Sequence, residues 1–140
     1  MDIGFFKMTP DAVIPTKAYD DDLGLDLYSV DAVDILPGWV TKVHTGIKTQ
    51  FPSGIGGIIK DRSGIATKHC IFTVAGVIDP SYRGELVIAF YNPTDYTVVI
   101  GAGQKIAQMV LTPVINVTIR RVGELDETSR GANGFGSSGS

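Results

Sequence analysis

The clearest reactive group in the chain is an aspartate set among glycines, a proline and a tyrosine. Asp79 lies in Ala75-Gly76-Val77-Ile78-Asp79-Pro80-Ser81-Tyr82-Arg83-Gly84-Glu85. Glycine and proline at these positions predict a strand, a tight turn and a second strand, that is, a hairpin. A carboxylate beside such a turn can serve as general base toward water, although an Asp before Pro also starts ordinary turns. Tyr82, on the same turn, is either a partly buried strand tyrosine or a gate over a ligand. A second grouping, Asp61-Arg62-Ser63-Gly64, follows an apolar run and opens a candidate short helix over Arg62–His69, with Asp61 as its N-cap. Backbone N–H groups at a helix start, a serine hydroxyl and an arginine make a phosphate cradle; a plain capped turn uses the same residues. Asp26 alternates with Leu25 and Leu27, facing either a metal-bound water or solvent. Gln108 interrupts the apolar run Ile106–Leu111 and needs a polar partner, a ligand or backbone.

Other residues read more plainly. Asp20-Asp21-Asp22 lacks the spacing of a calcium loop and reads as a solvated turn. His44 and His69 have no ligand-like spacing and read as surface or structural. Cys70 and Trp39 read as packing residues. From Ser129 the chain runs Ser-Arg-Gly-Ala-Asn-Gly-Phe-Gly-Ser-Ser-Gly-Ser. That composition suits a flexible tail. It equally suits a segment that orders over a ligand, with Arg130, Ser137 and Ser138 toward phosphate and Phe135 stacked on a flat ring.

The elements that must position these groups are short strands. Apolar or alternating runs occupy Ile3–Met8, Leu25–Val30, Trp39–Thr45, Gly57–Lys60, Ile71–Val74, Glu85–Tyr91, Thr97–Ile100, Ile106–Leu111 and Val114–Val122. Turn chemistry such as Pro37-Gly38 and Asn92-Pro93-Thr94-Asp95 separates them, which predicts an all-β sandwich or barrel. Glu85–Tyr91 and Ile106–Leu111 are nearly continuous apolar runs, expected to be buried on both faces, either by a second sheet or by another subunit. At 140 residues the chain is one domain. No apolar run approaches the ~18 residues of a membrane span, and no secretory signal opens the sequence, so no membrane partner is expected. A single cysteine excludes an internal disulfide and a cysteine zinc cage, and suits a reducing, intracellular setting. The net charge of −3 argues against binding long nucleic acid through a general basic field.

In this order the fragments resemble the trimeric dUTP pyrophosphatase (dUTPase) family, which carries five short motifs. Gly24-Leu25-Asp26-Leu27-Tyr28-Ser29 resembles the first and Arg62-Ser63-Gly64 the second. Gly76-Val77-Ile78-Asp79 through Tyr82-Arg83-Gly84-Glu85 resembles the third and most specific. Gly103-Gln104-Lys105-Ile106-Ala107-Gln108 resembles the fourth, and Arg130 through Gly139 the fifth. The resemblance implies a jelly-roll-like β-barrel over residues 1–128, a flexible C-terminal arm over 129–140, and a three-fold homotrimer with shared active sites. It also implies conversion of dUTP and water to dUMP and pyrophosphate with Mg²⁺, which limits uracil in DNA and supplies dUMP for thymidylate synthesis.

The roles it implies are specific. Asp79 would deprotonate the water attacking the α-phosphorus, and Tyr82 would stack under the deoxyribose and exclude a 2′-hydroxyl. Backbone around Gly76, Val77 and Ile78 would read uracil, helped by Val87. Arg62, Ser63, Gly64 and Gln108 would hold phosphates, and Asp26 a magnesium-bound water. Arg130 would clamp the γ-phosphate, Phe135 would cover the uracil, and Gly136, Ser137 and Ser138 would close on the phosphate chain. The setting it implies is cytoplasmic, or the host cytoplasm or nucleus for a viral protein. Three residues depart from the usual motifs: Asp61 in place of proline, Lys105 in place of arginine and Leu23 in place of alanine. Asp61 would repel phosphate unless it points away, and Lys105 keeps the charge without the fork. Two rivals remain: a dCTP deaminase of the same fold, with Glu85 shuttling protons, and a non-catalytic trimeric β-module.

Overall fold

The structure is a computed structural model and describes residues 1–139. Its elements are β1 (Gly4–Lys7), β2 (Gly24–Tyr28), β3 (Val33–Ile35), β4 (Val40–Gln50), β5 (Ile55–Asp61), α1 (Ser63–His69), β6 (Phe72–Val74), β7 (Val77–Ile78), β8 (Glu85–Tyr91), β9 (Val98–Ile100) and β10 (Lys105–Pro113). Two four-stranded sheets, ordered β1-β4-β8-β6 and β2-β10-β5-β7, are joined by a two-stranded ladder, β3-β9. All pairings are antiparallel. The expected all-β, jelly-roll-like architecture is present, but the hydrogen-bonded sheets do not close into a barrel.

Strand alternation builds the core. Leu86, Ile88 and Phe90 of β8 and Val43 and Ile47 of β4 are buried against Leu27, Ile59, Ala107 and Met109 of the other sheet, with Ile35, Val98 and Ile100 of the small ladder completing the cluster. Burying these side chains is the main favourable contribution to the fold, of order 1.5–3 kcal/mol each. Within one chain the expected burial of β8 is met on one face. Glu85, Val87 and Ala89 alternate with the core residues and are only half-buried, as one layer on an outer face requires. That outer face carries an apolar row, because register sets Val40 and Phe72 on either side of Tyr91, and all three are exposed. In β10, Ile106, Ala107 and Met109 are buried while Gln108, Val110 and Leu111 are half-buried.

Two packing expectations also fail. Trp39 is 69% exposed beside the Pro37-Gly38 turn. Cys70 is exposed because it terminates α1 in a left-handed conformation, φ 55°. The run Val114–Val122 forms no strand. After Val114 N–H donates to Gly54 O (2.8 Å), the chain leaves the sheets, and Ile115, Val117 and Ile119 are 80%, 73% and 93% exposed. Alternation supplies a strand's faces, but a strand also needs a neighbour for its backbone. None lies within this chain among the described residues. The short β3 was not anticipated; its three residues pair only with β9.

The polar turn after β8 is fixed by buried Asn92. Its Nδ2 donates to Ile35 O (2.9 Å) and Tyr96 O (2.8 Å), while Oδ1 accepts from Thr94 N (3.0 Å) and Oγ1 (2.6 Å). Asn92→Ala should therefore lose about 2–4 kcal/mol of stability, because buried carbonyls are left unpaired. A urea unfolding curve checks it, with an unchanged midpoint showing that water replaces the amide. Among the described residues no helix is long and apolar enough to cross a membrane.

Candidate active site

The first group of polar residues gathers where β2, β10 and β5 run side by side. Register places Gln108 between Asp26 and Lys60, and β5 leads directly into Arg62 and α1. The Asp26 carboxylate, 14% exposed, accepts from Arg62 Nε through Oδ1 (2.9 Å) and from Lys105 Nζ through Oδ2 (2.8 Å). That hydrogen bond holds the Lys105 ammonium above its ordinary pKa, so it stays charged, and Nζ also lies 5.9 Å from the Tyr28 ring centroid. Gln108 finds a backbone partner, Nε2 donating to Asp61 O (2.8 Å). Gly24 makes room for it: a Cβ there would sit 2.2 Å from Gln108 Oε1.

Asp61 is not the helix N-cap. Arg62 holds that position without a side-chain capping bond, while Asp61 Oδ1 accepts from Thr73 N (2.7 Å) on β6. The carboxylate is thereby engaged by the neighbouring strand and is not among the residues that line the adjacent cleft. The first helical bond is Ala66 N to Arg62 O, so the N–H groups of Ser63, Gly64 and Ile65 have no partner within the helix. Ser63, together with Arg62, Gln108, Asp26 and Gly24, borders a cleft of about 250 Å³ that Tyr19 and Leu23 also line. Asp22 closes a turn there by accepting from Ala18 N and Tyr19 N (both 3.0 Å). The cleft is polar: Arg62 is the cation among its lining residues, beside the carboxylates of Asp22 and Asp26, and Lys105 offsets Asp26 through its ion pair.

The second group surrounds Asp79. The expected hairpin is corrected: β7 pairs with β5, whereas β8 pairs with β4 and β6, so the turn carries the chain between two sheets. The chain enters it through Gly76, whose φ of +111° suits glycine, and whose missing Cβ would lie 2.8 Å from Ile59 Cβ. Tyr82 N donates to Asp79 O (3.0 Å), and Arg83 Nη1 donates to Pro80 O (2.7 Å) and Tyr82 O (3.0 Å). The Tyr82 hydroxyl donates to Glu85 O (3.0 Å), and Gly84 leaves the space its ring occupies, since a Cβ would meet that hydroxyl at 2.3 Å. Asp79 is exposed, and among the described residues its carboxylate has no hydrogen-bond or ion-pair partner. Ile78 and Val87 are half-buried and Val77 is exposed. Glu85 is differently placed: Oε2 pairs with His44 Nδ1 (2.9 Å) and Oε1 accepts from Gly46 N (2.9 Å). That pins β8 to β4, gives His44 its structural role and leaves neither oxygen free of a partner.

The arm forms a third group. Arg130 Nε donates to Asn133 O (2.9 Å), and Gly134, Phe135, Gly136, Ser137 and Ser138 curl into a concavity of about 380 Å³ built from the arm alone. Phe135 is fully exposed. Ser140, the last residue of the expected arm, lies outside the described residues. One chain does not bring these groups together. Asp79 follows Ile78, which pairs with Gly57, while Asp26 lies level with Lys60 and across the sheet's other two strand spacings from β5. At ~4.8 Å between strands and ~3.3 Å per residue, Asp79 and Asp26 are on the order of 20 Å apart. Among the described residues no cluster of three or more His, Cys, Asp or Glu is placed to cage a metal. The exposed side of Asp26 still fits an indirect role, because each carboxylate oxygen has a second lone pair beyond the one its ion pair uses. The sequence did not mark Lys105 as Asp26's partner. The available signal was a cation opposite Tyr28, two register positions from the Asp26–Gln108 pair and so on the same face of β2.

The dUTPase family matches residues 10–139. The chain is 42% identical over 135 residues to the deoxyuridine 5'-triphosphate nucleotidohydrolase of Clostridium novyi, covering 95% of each chain. It is 40% identical over 141 residues to the protein of that name from Crocosphaera subtropica, covering 99% of each. In three dimensions it resembles a mutant dUTPase of Staphylococcus bacteriophage 80alpha solved with dUpNHpp, with TM-score 0.89 and 24% identity over 99% of both chains. It also resembles a mutant dUTPase from phage phi11 of S. aureus, described with a coordinated structural Mg(II) ion, with TM-score 0.84 and 22% identity over 91% of this chain and all of the other.

Proposed function

The chain belongs to the dUTPase family, and from that premise we propose that it hydrolyses dUTP to dUMP and pyrophosphate with Asp79 as the general base. The supporting observation is an unpartnered carboxylate held on a turn whose backbone is fixed by Tyr82 and Arg83. Asp79 takes the proton of a water that attacks the α-phosphorus, and pyrophosphate leaves. Because β7 is the edge of its sheet, backbone groups facing away from β5 are free to pair with a planar base. Those of Gly76, Val77 and Ile78 read uracil, and Val87 packs beside it. Cytosine presents mismatched donors and acceptors, and an unpaired buried polar group discriminates strongly.

Phosphates bind in the cleft against Arg62, the Ser63 and Gly64 N–H groups and Gln108, a site that works by positioning and charge neutralisation. Gln108 Nε2 also ties down the strand end that presents Arg62. Mg²⁺, when bound, would supply charge neutralisation at the triphosphate. Asp26 would hold it indirectly, through a water bonded to a lone pair left by its ion pairs. Arg130 clamps the γ-phosphate, Phe135 covers the uracil, and Gly136, Ser137 and Ser138 close over the phosphates, so residues 129–140 act as a cover on the unit formed by 1–128.

The protein works as a three-fold homotrimer with shared sites. Three features support this: the separation of Asp79 from Asp26, the chain's departure from its own sheets after Val114, ahead of the arm, and the exposed apolar row at Val40, Tyr91 and Phe72. Its setting is intracellular, where it limits uracil in DNA and supplies dUMP for thymidylate synthesis. Pyrophosphate release measured across dUTP, UTP, dTTP and dCTP tests the reaction. Turnover confined to dUTP supports it, and ammonia released from dCTP would favour a deaminase. The two partners of Glu85 argue against its service as a proton shuttle there.

Sugar selection is Tyr82's part. Its ring is held by the hydroxyl bond to Glu85 O and the space at Gly84, so it cannot yield to a 2′-hydroxyl without breaking that bond. The kcat/KM ratio of dUTP to UTP should be about 10²-fold or more in the native protein and fall several-fold or more in Tyr82→Ala. An unchanged ratio would place the discrimination elsewhere.

A further inference from the structure

Lys105 has no place in the reaction described above, yet it is bonded to the group that holds Arg62. Its Nζ lies 2.8 Å from Asp26 Oδ2, on the oxygen that Arg62 does not use. Arg62 reaches the other oxygen through Nε, at 2.9 Å. A guanidinium has five N–H donors, so this single contact leaves four on the two terminal nitrogens. Carboxylates prefer to take an arginine by two parallel bonds, through Nε and a terminal nitrogen together. Here the second oxygen is already engaged by the ammonium. The ammonium is held in turn, since β10 shifts register between Lys105 and Ala107 and sets Lys105 opposite Tyr28, over whose ring Nζ sits.

We propose that Lys105 is a positioning residue for Arg62: by engaging Asp26 Oδ2 it prevents a two-bond Asp26–Arg62 pair and keeps the terminal N–H groups of Arg62 available to the triphosphate. The inference rests on the reading of Arg62 as a phosphate ligand. It differs from a direct contact between Lys105 and phosphate, because the effect passes through Asp26. Without the ammonium the carboxylate rotates onto Arg62. Arginine at 105 can hold Oδ2 equally, so the conservative change preserves the arrangement.

The test uses the full chain as wild type, Lys105→Met, Lys105→Arg, Asp26→Asn and the Asp26→Asn, Lys105→Met double variant. Each is titrated with a non-hydrolysable imido analogue of dUTP and with dUMP, which lacks the β and γ phosphates. Lys105→Met should weaken analogue binding about ten-fold, the size of one charged hydrogen bond, with dUMP changed by less than about two-fold and KM rising more than kcat falls. Lys105→Arg should restore affinity. In the Asp26→Asn background the same Lys105→Met change should cost less than about two-fold, because a residue acting through Asp26 is coupled to it. Equal losses in both backgrounds would overturn the proposal in favour of direct phosphate contact, and no loss in either would also overturn it. Should Asp26→Asn fail to fold, nitrogen-15 NMR of the Arg62 side chain in Lys105→Met gives the same decision. A newly resolved, slowly rotating terminal N–H supports the carboxylate's move, and an unchanged spectrum refutes it. Unaltered analogue binding in Arg62→Gln would instead refute the phosphate role of Arg62 itself.

Discussion

Asp79→Asn chains should bind dUTP with near-native affinity and turn it over about 10²–10⁴ times more slowly, the contribution of a positioned general base. The change keeps the side chain's size and removes only its capacity to take a proton. Little else should move. The turn is held by Tyr82 N on Asp79 O and by the Arg83 guanidinium on Pro80 O, all of which leave the Asp79 carboxylate uninvolved. Binding should survive because the proposed base, sugar and phosphate contacts come from β7, Tyr82 and the Arg62 cleft. Single-turnover hydrolysis beside equilibrium binding separates the two steps. Near-native turnover would show that another group activates the water, while lost binding with retained fold would make Asp79 a substrate ligand.

Co-refolding two inactive variants should restore roughly a quarter of wild-type activity, under random assembly of a closed three-fold ring. One partner carries Asp79→Asn and the other lacks Ser129–Ser140; each alone should be nearly inactive. About three-quarters of the trimers are then mixed, and each mixed trimer has one site in three with an intact turn from one chain and an intact arm from another. The chain's departure from its own sheets after Val114, ahead of the arm, and the full exposure of Phe135 motivate the experiment. Truncation should leave a folded protein, since no residue of the arm belongs to the core cluster. If the arm instead closes over its own chain's Asp79, every site keeps one defect and no activity returns. Native mass spectrometry must confirm mixed trimers before that outcome is read.

The sequence by itself determined the fold class, the positions of most strands and the candidates for the reactive residues. β8 was legible to the residue because a strand's alternation and its flanking turns are local properties. Asp79 and Tyr82 stood out because glycine, proline and an isolated carboxylate constrain a turn without reference to the rest of the chain. Five ordered motifs identified a family that the comparisons then showed. What needed the tertiary structure is everything that depends on a distant partner. Val114–Val122 alternates like a strand, but among the described residues no neighbouring strand accepts it. Gly76–Glu85 reads as a hairpin locally, yet β7 and β8 go to different sheets because each finds its ladder elsewhere. Asp61 has the type of a helix cap, and only the approach of Thr73 N decides that its carboxylate goes to β6 instead. Asp26 meets Arg62 and Lys105 from other parts of the chain, as Glu85 meets His44. Side-chain chemistry and turn preferences are written residue by residue. Which carboxylate meets which cation, and which edge remains open, follows from the register of strands far apart in the chain, and that is settled only when the sheets pack.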